Sequence, residues 1–259
     1  MSEPIQPFVG LFVTCLADLM RPSVAFSTIK LLEQAGCDVE VPLQQTCCGQ
    51  PAYNTGDFDT TRPMAKQLIE RFADYPYVVA PSGSCVGMIK HHYPRLFKEM
   101  PEWHSRAIDL AERTWEITSF LVDVLDYRPE QLAQASTART FTYHDSCAGL
   151  RELNIKQQPR QLLQQVSGIE ITEMQATDVC CGFGGTFCAK MPEISEKMVS
   201  NKLDNALASG ADVLLGGDLG CLLNISGYAS RAGKTIEIRH ITEVLAGELG
   251  EPGIGEGQS

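Results

Sequence analysis

A cysteine pattern occurs twice along this chain. Cys15 is followed 32 residues later by Cys47, Cys48 and Gly49, and Cys85 comes 37 residues after the doublet. The second pass runs Cys147, then Cys180, Cys181 and Gly182 at 33 residues, then Cys221 at 40. The copies are offset by 132, 133 and 136 residues, and eight of the ten cysteines fall in this register. A period of half the chain implies two similar lobes. Each lobe draws four thiols from three separate places in sequence, an arrangement that points to metal binding.

The duplication divides the 259 residues near residue 130, giving cysteine-rich domains over 1–130 and 131–259. Apolar content of 44% lets each half bury a core without disulfide staples. The start, Met-Ser-Glu-Pro-Ile-Gln-Pro, lacks the basic and apolar segments of a secretory leader. The expected location is the cytoplasm, where thiols stay reduced and metal is favoured over disulfides. No apolar run reaches the roughly 18 residues of a membrane span, so no direct membrane insertion is expected. The net charge of −11 and the lack of a long Lys/Arg cluster exclude a nucleic-acid face. An acidic surface suits a basic partner subunit.

The element pattern repeats as well. In the first half, Phe8–Val13 reads as a buried strand ending near Cys15, and Ser23–Gln34 as a helix stopped by Gly36. Val39–Leu43 reads as a strand, Arg62–Phe72 as a helix, Tyr77–Ala80 as a strand and Leu110–Leu125 as a bridging helix. The second half replays this order. Strands are predicted at Thr140–Tyr143, Ile169–Met174 and Asp212–Leu215. Helices are predicted at Arg160–Val166 and Pro192–Ala208; the segments Ile236–Ile238 and Ile241–Ala246 finish the lobe, with a frayed tail over 250–259. The predicted fold class is α/β: two tandem, pseudo-symmetric lobes, each a mostly parallel sheet flanked by helices. Ligands of such sheets collect at the carboxyl ends of the strands. Every repeated cysteine lies just beyond a predicted strand, so distant thiols should converge at one sheet edge.

Thiols near helix N-termini ionise more readily. The glycines of Gly182-Phe183-Gly184-Gly185, with Gly49 and Gly83, let backbone approach a bulky inorganic core. On ligand count alone, four thiolates suit zinc or an iron–sulfur cluster equally. The spacing favours iron–sulfur, because no C-x-x-C knuckle is present and adjacent cysteines reach different vertices of a multi-metal core. The candidate ligands are Cys15, Cys47, Cys48 and Cys85 in one lobe, and Cys147, Cys180, Cys181 and Cys221 in the other.

Blander readings apply elsewhere. Cys37 and Cys188 stand outside the register and read as core packing or loose thiols. His144 reads first as satisfying local backbone, and second as a donor or proton carrier beside the ligands. His91 and His92 read as a solvated helix start, and His240 as packing at a strand end. No Ser-His-Asp order, Walker loop, flavin motif or nicotinamide motif is present.

The segments Thr46–Asn54, Pro81–Cys85, Tyr143–Cys147, Asp178–Phe187 and Gly217–Cys221 together resemble the cysteine-rich CCG-domain family. That family includes the cysteine-rich subunit of heterodisulfide reductase and the iron–sulfur subunit of glycolate oxidase. The likeness covers nearly the whole chain. It is stronger still toward the small cysteine-rich subunits of three-protein L-lactate oxidation systems. The resemblance implies one iron–sulfur cluster per lobe, held by the eight cysteines above. It implies electron transfer during oxidation of lactate to pyruvate, in company with other iron–sulfur subunits. It also implies a subunit that is not an enzyme on its own. A thiol or heterodisulfide reductase, a glycolate oxidase subunit and a zinc assembly module are the alternatives. The fuller family motif ends in C-x-x-C, whereas Ser82 and Asp218 hold the first position of that pair here. Four-thiolate clusters, or clusters with one exchangeable iron, fit this departure better than five-thiolate ones.

Overall fold

Strand pairing in each half of the chain is parallel throughout. The computed structural model describes residues 6–127 and 139–256. Residues group into two compact units, Met1–Tyr127 and Arg128–Ser259. The boundary expected at residue 130 falls outside the described residues.

The N-terminal unit contains β1 (Phe8–Leu11), β2 (Asp38–Glu40), β3 (Tyr77–Ala80) and β4 (Thr114–Glu116), in the order β2-β1-β3-β4. The C-terminal unit contains β5 (Arg139–His144), β6 (Ile169–Ile171), β7 (Val213–Gly216) and β8 (Glu237–His240), in the equivalent order β6-β5-β7-β8. Gly10 pairs with Val78 at the centre of one sheet, and Tyr143 with Leu215 at the centre of the other. Three of the four central strands, β1, β3 and β7, are largely apolar, as expected where helices cover a parallel sheet on each side, whereas β5 buries Thr142 and His144. Val9, Leu11, Val78 and Val79 are fully buried in one unit, as are Val213, Leu214 and Leu215 in the other. Two tandem α/β lobes with helix-flanked parallel sheets are therefore the architecture of this chain.

Local chemistry explains the helices. Pro22 opens the helix Pro22–Gln34, and Val24, Thr28, Leu31 and Leu32 face inward. Asp57 caps the helix Phe58–Arg71 by accepting from the Thr60 N–H at 3.0 Å, which starts it earlier than the apolar spacing implied. The helix Pro192–Ala208 has the predicted bounds. Among the described residues, no helix is long and apolar enough to cross a membrane.

Several expectations need correction. The predicted helix Leu110–Leu125 is interrupted by β4, because Thr114–Glu116 pairs with Val78–Ala80 and completes the sheet. The strand predicted to reach Leu43 ends at Glu40, and Leu43 is 80% exposed. The helix Leu219–Arg231 was not expected; it follows β7 directly and carries Cys221. His91 and His92 end a π-helical turn, Met88–His92, and His92 is also the N-cap of the short helix Tyr93–Leu96, so the expected helix start is present there. The tail is not frayed as far as Glu256. The Ile254 N–H donates to Ile238 O at 2.7 Å, and Ser226 Oγ donates to Ile254 O at 2.7 Å. Residues 257–259 lie outside the described residues.

Candidate metal centres

The carboxyl ends of the strands carry the cysteines. Cys15 opens the helix Cys15–Met20 after β1, and Cys147 opens the helix Cys147–Arg151 after β5. Cys85 lies in the helix Gly83–Gly87 after β3, and Cys221 in the helix Leu219–Arg231 after β7. The doublets sit in the loops that follow β2 and β6. In each unit the chain thus delivers four thiols to one sheet edge, as parallel crossovers require.

Thiol contacts run in the same order in both units. Cys15 hydrogen-bonds with Cys47, Cys47 with Cys48, and Cys48 with Cys85. Cys147 hydrogen-bonds with Cys180, Cys180 with Cys181, and Cys181 with Cys221. The Cys48 and Cys85 Sγ atoms are 3.5 Å apart. Successive thiols of each predicted quartet are thus neighbours, while among the described residues the donor atoms that all lie within 4.8 Å of one another are those of His144, Cys181 and Cys221. Cys37 is buried apart, its thiol pushed up to about 11 by burial. Cys188 is half-buried and donates to Gly185 O at 3.4 Å.

One thiol of each quartet favours the charged form. Cys47 is held well below the usual thiol range by hydrogen bonds from Cys15 and Cys48, with a smaller contribution from the Gly49 N–H. Cys180 is held down by Cys147 and Cys181, with a smaller contribution from the Gly182 N–H. The donating thiols Cys15 and Cys147 are pushed up in turn.

The doublets are fixed by similar devices. The Gly49 N–H lies 3.5 Å from Cys47 Sγ, and the Gly182 N–H 3.4 Å from Cys180 Sγ. Gly182 has a φ of +85°, and a Cβ there would come within 2.7 Å of Ser195 O. Tyr93 Oη donates to Cys48 O at 2.8 Å, and Asn224 Nδ2 donates to Cys181 O at 2.9 Å. Ser82, at the departed motif position, accepts from the Cys85 N–H at 3.3 Å and caps its helix. Asp218 occupies the matching cap position and is buried.

Beyond the thiols, the units differ. In the N-terminal unit, Gln45 bridges the Val13 N–H and Leu11 O, and a cavity of about 430 Å³ opens beside Cys15 and Cys47. Its lining includes Asp18, Leu19, Leu43 and Gln45 and, among the described residues, no cation. In the C-terminal unit, buried Lys202 donates to Ala176 O at 2.7 Å and Thr177 O at 3.1 Å, pinning the loop ahead of Cys180. Arg160 holds buried Asp145 through two bonds of 2.9 and 3.1 Å, and also engages Glu173.

The preferred reading of His144 is overturned. Neither ring nitrogen has a hydrogen-bond partner, so this residue satisfies no backbone group. A His144 ring nitrogen, Cys181 Sγ and Cys221 Sγ lie within 4.8 Å of one another. Burial, then the Lys202 charge, push the imidazole down to about 3. His240 does pack at a strand end as expected, capping the helix Ile241–Leu245. Lys202 and Arg160 escaped the sequence reading. Aligning the two halves on the helices behind the doublets would have exposed Lys202, because its counterpart is buried Leu68.

The donor chemistry fits a thiophilic metal group: sulfur sets at sheet edges, backbone N–H groups on sulfur, and an unpaired buried imidazole.

Comparison with known proteins places these features. Residues 9–90 and 141–226 match the cysteine-rich domain family, CCG, one match in each half. A protein of Oceanobacillus iheyensis described as lactate utilization protein A is 48% identical over 237 residues, covering 92% of this chain and 96% of the relative. A protein of Shouchella clausii with the same description is 50% identical, covering 92% of this chain and 98% of the relative. The crystal structure of a hypothetical protein from Helicobacter pylori superposes with a TM-score of 0.65 at 12% identity, and supports the fold alone. That match covers 96% of this chain and 50% of the other, so this chain spans about half its length.

Proposed function

Since the chain belongs to the cysteine-rich CCG-domain family, and within it to the lactate utilization protein A group, we propose that it is the electron-carrying subunit of a multi-protein L-lactate oxidation system. The observation that carries this reading is the pair of thiol quartets, assembled in the same order at equivalent sheet edges. In this reading Cys15, Cys47, Cys48 and Cys85 hold one iron–sulfur cluster, and Cys147, Cys180, Cys181 and Cys221 hold another. Such clusters, when bound, accept and release single electrons at potentials set by their surroundings.

The protein's own groups have separate tasks. The Gly49 and Gly182 N–H groups offset negative charge on sulfur. Tyr93 and Asn224 orient the doublets through their carbonyls. In this reading substrate oxidation belongs to a partner, and this chain is a subunit that does not act alone. Its partners are other iron–sulfur proteins of the same cytoplasmic system, neither nucleic acid nor bilayer.

A second reading has one specific observation behind it. Sulfurs on a single tetrahedral ion at about 2.3 Å stand about 3.8 Å apart, close to the 3.5 Å between Cys48 and Cys85. One zinc ion per unit would then make the chain an assembly module. Anaerobic purification with iron, labile sulfide and zinc determination separates the two. Iron with sulfide, and paramagnetic signals that change with lactate only when the partner subunits are added, is the expected result. Colourless protein with zinc and no sulfide would overturn it. Turnover of disulfides by the isolated protein, without any response to lactate, would favour a thiol reductase instead.

A further inference from the structure

The two units set equivalent cysteines among unlike neighbours. Three residues before the first cysteine of each set stand Phe12 and His144. Both are buried, at 0% and 1% exposure. The Phe12 ring packs edge-on against Phe72, with centroids 5.9 Å apart, as an ordinary core aromatic. His144 occupies the corresponding end of β5 without the hydrogen bonds that a buried imidazole needs. Nδ1 and Nε2 are both shielded from solvent and both unpartnered. A buried polar group with no partner needs an explanation. The neighbours supply one. A ring nitrogen of His144 shares a space of 4.8 Å with Cys181 Sγ and Cys221 Sγ, a donor group of the kind that closes on a metal.

The position is also held firmly. Asp145, the next residue, is clamped by Arg160 at 2.9 and 3.1 Å. Its N–H donates to Thr177 O at 3.2 Å, and Lys202 Nζ donates to the same carbonyl at 3.1 Å. The strand end that presents the imidazole and the loop that presents Cys180 and Cys181 are thereby fixed together. Rigid support of this kind is what a ligand set requires.

We propose that His144 donates a ring nitrogen to the metal centre of the C-terminal unit, beside Cys181 and Cys221. The two centres are then chemically unlike: sulfur donors alone in the N-terminal unit, where Phe12 stands, and sulfur with one imidazole in the C-terminal unit. This inference rests on the metal-binding reading above, but not on the metal being iron.

The test uses full-length protein purified anaerobically, with histidine labelled by ¹⁵N. Nitrogen hyperfine couplings are recorded on the reduced protein, together with X-ray absorption at the edge of the metal present. The expected result is a directly bonded nitrogen whose coupling changes with the label, and imidazole scattering in the absorption spectrum. Both should be lost in His144→Phe. Since that variant could misfold, His144→Gly is compared with and without added imidazole, which should restore the nitrogen signal. Iron-loaded protein showing only sulfur ligands, or a nitrogen signal unchanged by both variants, would overturn the inference and leave the iron–sulfur reading intact. Zinc-loaded protein with imidazole scattering would do the reverse.

Discussion

The Sγ atoms of Cys48 and Cys85 lie 3.5 Å apart although 37 residues separate them in sequence. The path between them crosses the helix Phe58–Arg71 and β3, so only the folded sheet can close the gap. Removing one thiol should therefore act on one unit alone. Cys48→Ala is expected to abolish metal in the N-terminal quartet, and Cys181→Ala in the C-terminal quartet, each lowering total metal by about half. Metal analysis on folded protein, judged by circular dichroism, checks this. Loss of all metal from either variant would show that the sites depend on each other.

Gly182→Ala should also empty the C-terminal quartet. The residue adopts φ +85°, and an added Cβ would sit 2.7 Å from Ser195 O, a backbone atom that cannot swing aside. Gly56→Ala is the control, since φ is +80° there but nothing lies within 4 Å. The control is expected to cost about 1 kcal/mol from backbone strain alone. The Gly182 variant should cost more and lose metal, as read by denaturant unfolding and metal content.

Lys202→Met keeps the aliphatic stem but leaves the Ala176 and Thr177 carbonyls without their donor. Each buried acceptor left unsatisfied costs about 1–3 kcal/mol. Removing a cation beside Cys181 and Cys221 should also lower the potential of the C-terminal centre. Chemical denaturation and redox titration report the two effects separately. An unchanged potential with reduced stability would confine Lys202 to loop positioning.

Arg160→Ala strips the partner from Asp145, whose side chain is 1% exposed. An orphaned buried carboxylate of this kind costs about 3–5 kcal/mol. Urea unfolding should show that loss, and Arg160→Lys should recover only part of it, because lysine cannot make the paired contact.

The Cys37 thiol offers a test of alkaline stability. Burial raises it to about 11, above its unfolded value near 9. The folded state therefore holds the proton more tightly, and the resulting stability is fully present below pH 9. It declines as pH rises from about 9 to 11, by up to about 2–3 kcal/mol. Cys37→Ala should flatten that decline and leave metal content unchanged. A variant that retained the full alkaline loss would place its origin elsewhere.

Much of this was readable before the fold was known, for physical reasons. The cysteine register marks chain reversals, and apolar runs such as Tyr77–Ala80 mark buried parallel strands. Strand β4 was missed because Thr114–Glu116 is short and lies within apolar spacing that also suits a helix. Its equivalent, β8, overlaps the apolar segment Ile236–Ile238, whose three residues are too few to tell strand from helix by spacing. His144 was misjudged for another reason: a sequence does not reveal whether a ring nitrogen finds a partner.

Each thiol chain, Cys15 to Cys85 and Cys147 to Cys221, is completed within its own stretch of polypeptide. A duplicated gene built this way inherits two finished sites, so either copy is free to drift while the other keeps working. Phe12 and Leu68 in one half, against His144 and Lys202 in the other, have the look of that divergence: the scaffold is shared, and only the residues around the sulfurs have been rewritten.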